Sequence, residues 1–187
     1  MFRTYKTEGI VIKRVNYGES DKLITIFTNN HGKIVVLAKA VRKINSRKAA
    51  HLELFHKILT NLAKGRAFDL VIEAETLISF PVFTSDLIRL AYGYRIIEII
   101  DKLCPEGEEH NNIYNLLLSV LHKLNNRNLS PDISVITTKF IHQLLWELGY
   151  LGRGEILQNI DLEKYLEEVI ERSLKSTALL TKLKEKV

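Results

Sequence analysis

The hydrophobic and polar positions of this 187-residue chain follow two different periods. As far as Phe80, short runs rich in β-branched residues alternate with clusters of turn formers, the pattern of strands and hairpins. "YKTEGIVIKRV" (Tyr5–Val15), "KLITIFT" (Lys22–Thr28) and "KIVVLAKA" (Lys33–Ala40) read as three strands. The loop Asn16–Asp21 separates the first two, and "NNHG" (Asn29–Gly32) supplies the left-handed-tolerant residues of a tight hairpin. An irregular basic link, "VRKINSRKAA", follows. "HLELFHKILTNL" (His51–Leu62) and "DLVIEAETLISF" (Asp69–Phe80) then read as strands four and five, joined by "AKGRAF", although the apolar spacing of the fourth also suits a helix. Five strands in about 80 residues, arranged as a meander, suit a small closed barrel; the OB-fold leads, and spacing alone does not exclude an SH3-like barrel.

After Phe80-Pro81 the period becomes helical. "TSDLIRLAYGYRIIEIIDKL" opens on Thr84 and Ser85 as capping hydroxyls, and Leu87, Leu90, Ala91, Tyr94, Ile97 and Leu103 recur at helical steps. "PEGEEHN" interrupts. "NIYNLLLSVLHKL" repeats the pattern with Ile113, Leu116, Leu117, Val120, Leu121 and Leu124. A third helix runs from an Asp132 N-cap through Ile136, Phe140, Leu144 and Leu148 to a stop at Gly149. The last runs from about Asp161 to the C-terminus with Leu162, Tyr165, Leu166, Val169 and Ile170 inward. The expected architecture is α+β: a five-stranded OB-fold β-barrel in residues 1–80, followed by an all-α helical domain in residues 81–187.

Composition narrows the class. Hydrophobic residues make up 46% and charged residues 26%, an ordinary globular mix. Cys104 is the only cysteine, which excludes an internal disulfide framework and a cysteine-rich zinc site and fits a reducing compartment. "MFRTYKTEGI" carries charge where a secretory signal needs an apolar run, and no run is long enough to span a bilayer; a cytoplasmic protein is expected. Charge changes the picture more. Between Lys22 and Leu52 lie seven basic residues and no acidic one, while the rest of the chain carries 20 basic and 22 acidic. The whole surplus behind the net charge of +5 sits in one segment, which points to a polyanionic partner. A lysine-rich strand edge that discourages aggregation is the plainer alternative.

Catalytic chemistry finds little support. The histidines His31, His51, His56, His110, His122 and His142 show no metal-ligand spacing and read as surface or strand-end imidazoles. Cys104, between a helix and Pro105, reads as a packing residue. "LGRG" (Leu151–Gly154) lacks the lysine and spacing of a phosphate loop. No enzyme and no cofactor are expected. Nucleic-acid binding fits better. Lys39, Arg42, Lys43, Arg47 and Lys48 flank or occupy the basic link, Arg14 precedes the first loop, and Arg66 lies in the loop between strands four and five. Those two loops are the ones OB barrels use to clamp oligomers. Tyr17 and Phe68 are candidates for base stacking, while Phe27 and Phe55 are expected inside the barrel. Glu19 and Asp21 argue against the first loop lying directly on phosphates; they suit a bridge to nearby lysines or a turn cap. The competing reading is an adaptor whose basic barrel binds an acidic protein and never touches DNA.

The line "YKTEGIVIKRVNYGESDKLITIFTNNHGKIVVLAKAVRKINSR" (Tyr5–Arg47) resembles the opening of the bacterial recombination mediator family RecO. Thr7–Ile12, Tyr17–Asp21, Leu23–Thr28, Gly32–Lys33, Ala38–Lys39, Arg42 and Ser46–Arg47 carry the match, and the Gly-Arg loop before the fifth strand continues it. "PEGE" and "LGY" extend it, more weakly, into the helical half. The resemblance implies an OB domain followed by helices, binding of single- and double-stranded DNA, and annealing of complementary strands. It also implies partnership with RecR in helping RecA displace single-stranded-DNA-binding protein, at the bacterial nucleoid. The family's basic barrel residues carry over onto Lys39, Arg42 and Arg47; Arg14, Lys43, Lys48 and Arg66 rest on charge and expected location. One departure is large. The four-cysteine zinc module that many members carry after "LGY" is missing, so a shortened form without zinc is expected.

Overall fold

The computed structural model describes residues 3–128, 132–170 and 174–184. Its first five elements are strands: β1 (Thr4–Tyr17), β2 (Asp21–Thr28), β3 (Lys33–Ala38), β4 (Lys57–Ala63) and β5 (Asp69–Ile78). They close into a barrel in the order β1-β2-β3-β5-β4. β1 serves two neighbours: its first half, from Thr4 to Ile10, pairs with β4, and its second, from Gly9 to Tyr17, pairs with β2. A bulge between Val11 and Lys13 supplies the bend that such a corner strand needs. At the corner sits Gly9, where a Cβ would lie 2.3 Å from the Ile26 side chain. The expected meander therefore holds only through β3. β3 runs parallel to β5 through two residue pairs, Val36–Asp69 and Leu37–Leu70, and β4 crosses to the far side to seal against β1. This is the five-stranded Greek-key barrel of the OB architecture.

Barrel closure follows from the apolar pattern. Val11, Ile24, Ile26, Val36, Ala38, Ile58, Leu62 and Val71 point inward as one buried cluster, each side chain contributing about 1.5–3 kcal/mol by leaving water. Ile10 and Phe27 are also fully buried but lie outside that cluster, so the centres of β1 and β2 are covered on both faces. That corrects the expectation that Phe27 fills the barrel; strand alternation puts it on the face opposite Ile26. Phe55 is likewise buried outside the cluster, and it lies in no strand.

Residues 51–56 are turns, and β4 begins only at Lys57. The backbone N–H of Phe55 donates to the Val11 carbonyl at 2.8 Å, and that of Val11 donates to the His56 carbonyl at 3.0 Å. Pairing with β1 thus starts here, but Phe55 stands at φ 69°, a left-handed conformation that breaks the strand. Burial of Phe55 and Leu52 anchors the turn and offsets that strain.

Contacts divide the chain into two compact units, Met1–Ser79 with Pro105–Tyr114, and Phe80–Cys104 with Asn115–Val187. The barrel unit thus recruits a segment distant in sequence. Lys33 and Glu106 form an isolated bridge, the Gly107 N–H donates to the Lys33 carbonyl at 3.0 Å, and Gly32 at φ 62° abuts the Glu108 backbone. Tyr114 is buried there, and its phenol is pushed up to about 12, first by burial and then by the charge of Glu8.

The other elements are α1 (Pro81–Thr84), α2 (Leu87–Leu103), α3 (Asn111–Leu124), α4 (Ile133–Glu147), α5 (Asn159–Ile170) and α6 (Lys175–Lys184). The expected caps Thr84 and Ser85 instead close α1, whose proline at N1 starts it, and Asp86 caps α2 through the N–H groups of Ile88 and Arg89. The inward face of α2 also differs from expectation. Leu87 and Tyr94 are exposed, while Tyr92, Gly93, Ile96, Ile99 and Ile100 are buried, so the helix is covered nearly all round and its period is blurred. Asp132 caps α4 as its sequence suggests. The single last helix is two: Leu174 is not helical, and the Glu98 carboxylate accepts from the N–H groups of Lys175 and Ser176, capping α6 anew. The expected continuation past Lys184 lies outside the described residues. Arg95 of α2, 3% exposed, holds both carboxylate oxygens of Glu163 at 2.6 Å and the Thr177 hydroxyl at 3.1 Å, tying α2 to α5 and α6.

Candidate nucleic-acid interface

Three parts of the barrel unit carry the basic and aromatic residues singled out by the sequence. These are the turn between β1 and β2 (residues 18–20), the loop between β4 and β5 (residues 64–68), and the link between β3 and β4 (residues 39–56). Two of them touch. The rings of Tyr17 and Phe68 meet edge to face, 6.4 Å between centroids, so the first turn and the β4–β5 loop lie side by side. Tyr17 remains 47% exposed.

The β4–β5 loop is held by a compact polar knot. Asp69 accepts from the Tyr5 hydroxyl at 2.5 Å, from Lys64 Nζ at 2.8 Å and from the Gly65 N–H at 3.3 Å. Lys64 Nζ also lies 4.6 Å from the centre of the Tyr5 ring. Burial works to raise the Asp69 carboxyl, but those donors and the Lys64 charge outweigh it and hold it below the usual carboxylate range. Tyr5 is pushed up, by its burial and then by the adjacent carboxylate. The knot leaves Arg66 exposed at the loop tip.

The link is ordered by its own turns and by straps to the barrel. The Ala40 N–H donates to the Asp21 carboxylate at 2.7 Å, with Ala40 at φ 54°, and the Arg42 N–H donates to the Ser20 carbonyl at 2.9 Å. Asp21 thus takes the turn-capping role open to it in the sequence. Farther on, Lys48 Nζ donates to the Val71 carbonyl at 2.9 Å, and His51 Nδ1 accepts from the Thr76 N–H at 3.2 Å. These straps answer a need of the barrel. The β3–β5 seam ends at Leu37–Leu70, and beyond it the link gives partners to the Val71 carbonyl and the Thr76 N–H of β5.

The candidate cations therefore fall into distinct environments. Arg14 is ion-paired with Glu53 and largely buried, so its charge is offset. Lys48 is spent on Val71, and burial lowers its ammonium from the usual range against the opposing pull of Asp21. Lys39, Lys43, Arg47 and Arg66 are exposed with no side-chain partner among the described residues. Arg42 is exposed, and its guanidinium donates to the Gly18 carbonyl at 3.3 Å. Lys39, Lys43 and Arg47 share the rim of a recess of about 540 Å³ with Asn45 and Ser46, over a floor that includes Ile72 and Glu73 of β5.

Sequence reasoning passed over Lys22 as a site residue. Its Nζ donates to Asn16 Oδ1 at 2.9 Å; burial lowers its ammonium, as do the charges of Arg14 and Arg42, against Glu53. Its place in the acid-free run was the available signal. One histidine differs from expectation, while His31 and His122 are exposed. His142 is buried in α4, its Nδ1 on the Thr138 carbonyl at 2.8 Å and its Nε2 accepting the Leu157 N–H at 3.0 Å, which fixes the Nδ1–H tautomer. Cys104 is buried at the C-cap of α2. Among the described residues no three of His, Cys, Asp and Glu gather into a metal-holding group, and no helix is long and apolar enough to cross a membrane.

A closed five-stranded barrel with cations on its β3–β4 link defines an OB-type protein. The family model for the recombination protein O N terminal matches residues 1–80, and that for the recombination protein O C terminal matches residues 84–151. The chain is 38% identical over 148 residues to the DNA repair protein RecO of Roseiflexus sp. (strain RS-1), a match covering 79% of this chain and 51% of that protein. It is 34% identical over 148 residues to the DNA repair protein RecO of Pelotomaculum thermopropionicum, covering 79% of this chain and 56% of that one. With its namesake in Symbiobacterium thermophilum it shares 32% over 146 residues, 78% of this chain and 57% of the relative. The chain belongs to the RecO family. It spans little more than half the length of these curated relatives.

Proposed function

We propose that this chain is a non-enzymatic DNA-binding protein of repair and recombination, acting in the cytoplasm at the nucleoid. The observation that carries the reading is the set of exposed cations on the β3–β4 link, which have no acidic partners among the described residues; one of these cations, Arg42, reaches the turn beside Tyr17. Each neutralised phosphate releases counterions, and a base resting on Tyr17 or Phe68 gains about 1–3 kcal/mol regardless of its identity. Few base-edge contacts are available in such a site, so sequence preference is weak. Annealing follows from the same charge: cations that screen the phosphates of two strands lower the repulsion that slows their pairing.

RecR, RecA loading and single-stranded-DNA-binding protein enter through the family. The helical unit offers an apolar groove lined by Val135, Trp146, Ile156 and Ile160 with Lys139 among them, which suits the acidic tail of single-stranded-DNA-binding protein.

Fluorescence anisotropy with a labelled oligonucleotide, together with a strand-annealing assay, tests the reading. Binding that weakens with salt, and a folded R42E/R47E variant with much reduced affinity, are expected. An adaptor for an acidic protein would bind no oligonucleotide, or bind it without salt dependence, and that result overturns the proposal.

A further inference from the structure

The link sorts its free cations between two places. Arg42 turns back toward the β1–β2 turn, where its guanidinium meets the Gly18 carbonyl and its charge, with that of Arg14, bears on Lys22. That side carries the exposed Tyr17 against Phe68. Lys39, Lys43 and Arg47 instead rim the recess over β5, which Arg42 does not line. The division starts at Ala40, whose left-handed backbone is held by the Asp21 carboxylate and reverses the chain between Lys39 and Arg42.

The chemistry of the two places differs. A site for an unpaired strand combines a cationic track with aromatic faces on which bases stack. The Tyr17 side has the aromatic faces and the exposed guanidinium of Arg42. No Phe, Tyr or Trp lines the recess, its imidazole and the Lys48 ammonium are held by Thr76 and Val71, and its remaining donors are the Asn45 amide and the Ser46 hydroxyl. Such a set fits phosphate oxygens and offers a splayed base no platform. In a duplex the bases are stacked on each other and the phosphates face outward, so phosphate contacts position it without base contact. Glu73 on the floor is the one carboxylate of the recess, and the rim cations outnumber it.

We infer that the recess rimmed by Lys39, Lys43 and Arg47 is a second subsite that takes the phosphodiester backbone of paired strands, while the Tyr17–Phe68 side takes an unpaired strand. This rests on the DNA-binding reading above and adds a division of labour to it. One barrel then holds a single strand and a duplex at the same time, so that newly annealed product leaves the stacking side vacant for the next strand.

The test uses the full chain and two labelled probes, an oligo(dT) of about 20 nucleotides and a duplex of equal length, longer than the site of one OB barrel. K43E/R47E is expected to weaken duplex binding about tenfold or more and single-strand binding less than about threefold, and Y17A to do the reverse. Unlabelled duplex at saturation should leave labelled oligo(dT) bound to the wild type. Parallel losses in both variants, or full displacement of oligo(dT) by duplex, overturn the inference. Wild-type protein that binds neither probe overturns the DNA-binding reading itself. Should the charge reversal prevent folding, K43Q/R47Q removes the same two contacts without adding acid, and the same unequal loss is expected of it.

Discussion

Salt dependence turns the list of free cations into a number. Five candidates have ammonium or guanidinium groups available to a phosphate: Lys39, Arg42, Lys43, Arg47 and Arg66. Arg14 and Lys48 do not, being held by Glu53 and Val71. Of these, Lys39, Lys43 and Arg47 line the recess assigned to paired strands. Each duplex phosphate neutralised contributes a slope of about −0.9 in log affinity against log salt, so three predict about −2.7. Between about 50 and 200 mM salt, duplex affinity should fall roughly 40-fold. Replacing Lys43 and Arg47 by Gln should make the slope shallower by about 1.8, whereas K48Q should leave it unchanged. Anisotropy titrations of a labelled duplex at four or so salt concentrations give the slopes directly. A K48Q slope that falls as far as that of an Arg47→Gln single variant would refute the reasoning, because it would mean that a hydrogen bond to a backbone carbonyl does not withhold the charge. A melting curve for each variant separates lost contacts from lost structure.

Three further outcomes follow from the packing. Gly32→Ala places a Cβ at φ 62° and 1.8 Å from the Glu108 carbonyl oxygen, so both conformation and space oppose it. It should cost at least about 2 kcal/mol, read as a fall of roughly 5 °C in Tm, and an unchanged Tm would show that Pro105–Tyr114 does not pack there. Asp69→Asn removes a carboxylate held below its usual range; a depressed carboxyl stabilises the fold above its ordinary pKa and loses that contribution as pH falls through the folded value. Urea unfolding should therefore show the variant weaker by about 1–3 kcal/mol near neutral pH and nearly equal to wild type in acid, and a constant difference would contradict the knot. Glu163→Gln leaves the buried Arg95 guanidinium without its carboxylate, which should cost about 1–3 kcal/mol by denaturant titration, more than Arg153→Gln at an exposed pair.

The barrel was legible because four of its strands carry their own signals. β-branched runs mark β1, β2, β3 and β5, and "NNHG" marks one hairpin in three dimensions as it does in sequence. β4 was read six residues too early because His51–His56 is as apolar as a strand; what delays the strand to Lys57 is the backbone of Phe55, and no side-chain pattern announces a positive φ on phenylalanine. The order of strands was not legible either. Whether β3 neighbours β4 or β5 is decided by the long link that carries the chain across, and local periodicity contains no such information. In the helices, α3 and α4 bury the residues their period marks, while α2 defeats the period because it is covered on most sides. For the interface, the acid-free run located the cations. It could not tell that Arg14 and Lys48 are already engaged, since Glu53 and the Val71 carbonyl are brought to them only by the closed barrel.

The link must meet two demands that pull in opposite directions. Past a seam of two residue pairs, the Val71 carbonyl and the Thr76 N–H of β5 take their partners from the link, and a buried polar group without a partner costs about 1–3 kcal/mol. A lysine answers that demand by burying its stem and giving up its freedom, as Lys48 does. Binding a polyanion asks the reverse, cations that keep their hydration and their reach. A link of uniform helix or strand would present its cations by one rule along its length. A series of turns does not. Asp21 and Ser20 fix its first turn and send Arg42 one way and Lys43 another, and only at Lys48 and His51 does it fasten onto β5. The absence of acids from Lys22 to Leu52 then acquires a structural meaning beyond the ligand: a carboxylate in that part of the link would sit among cations that the turns hold apart and would draw them together. Glu53, the first acid after the run, does this to Arg14 and takes it out of service.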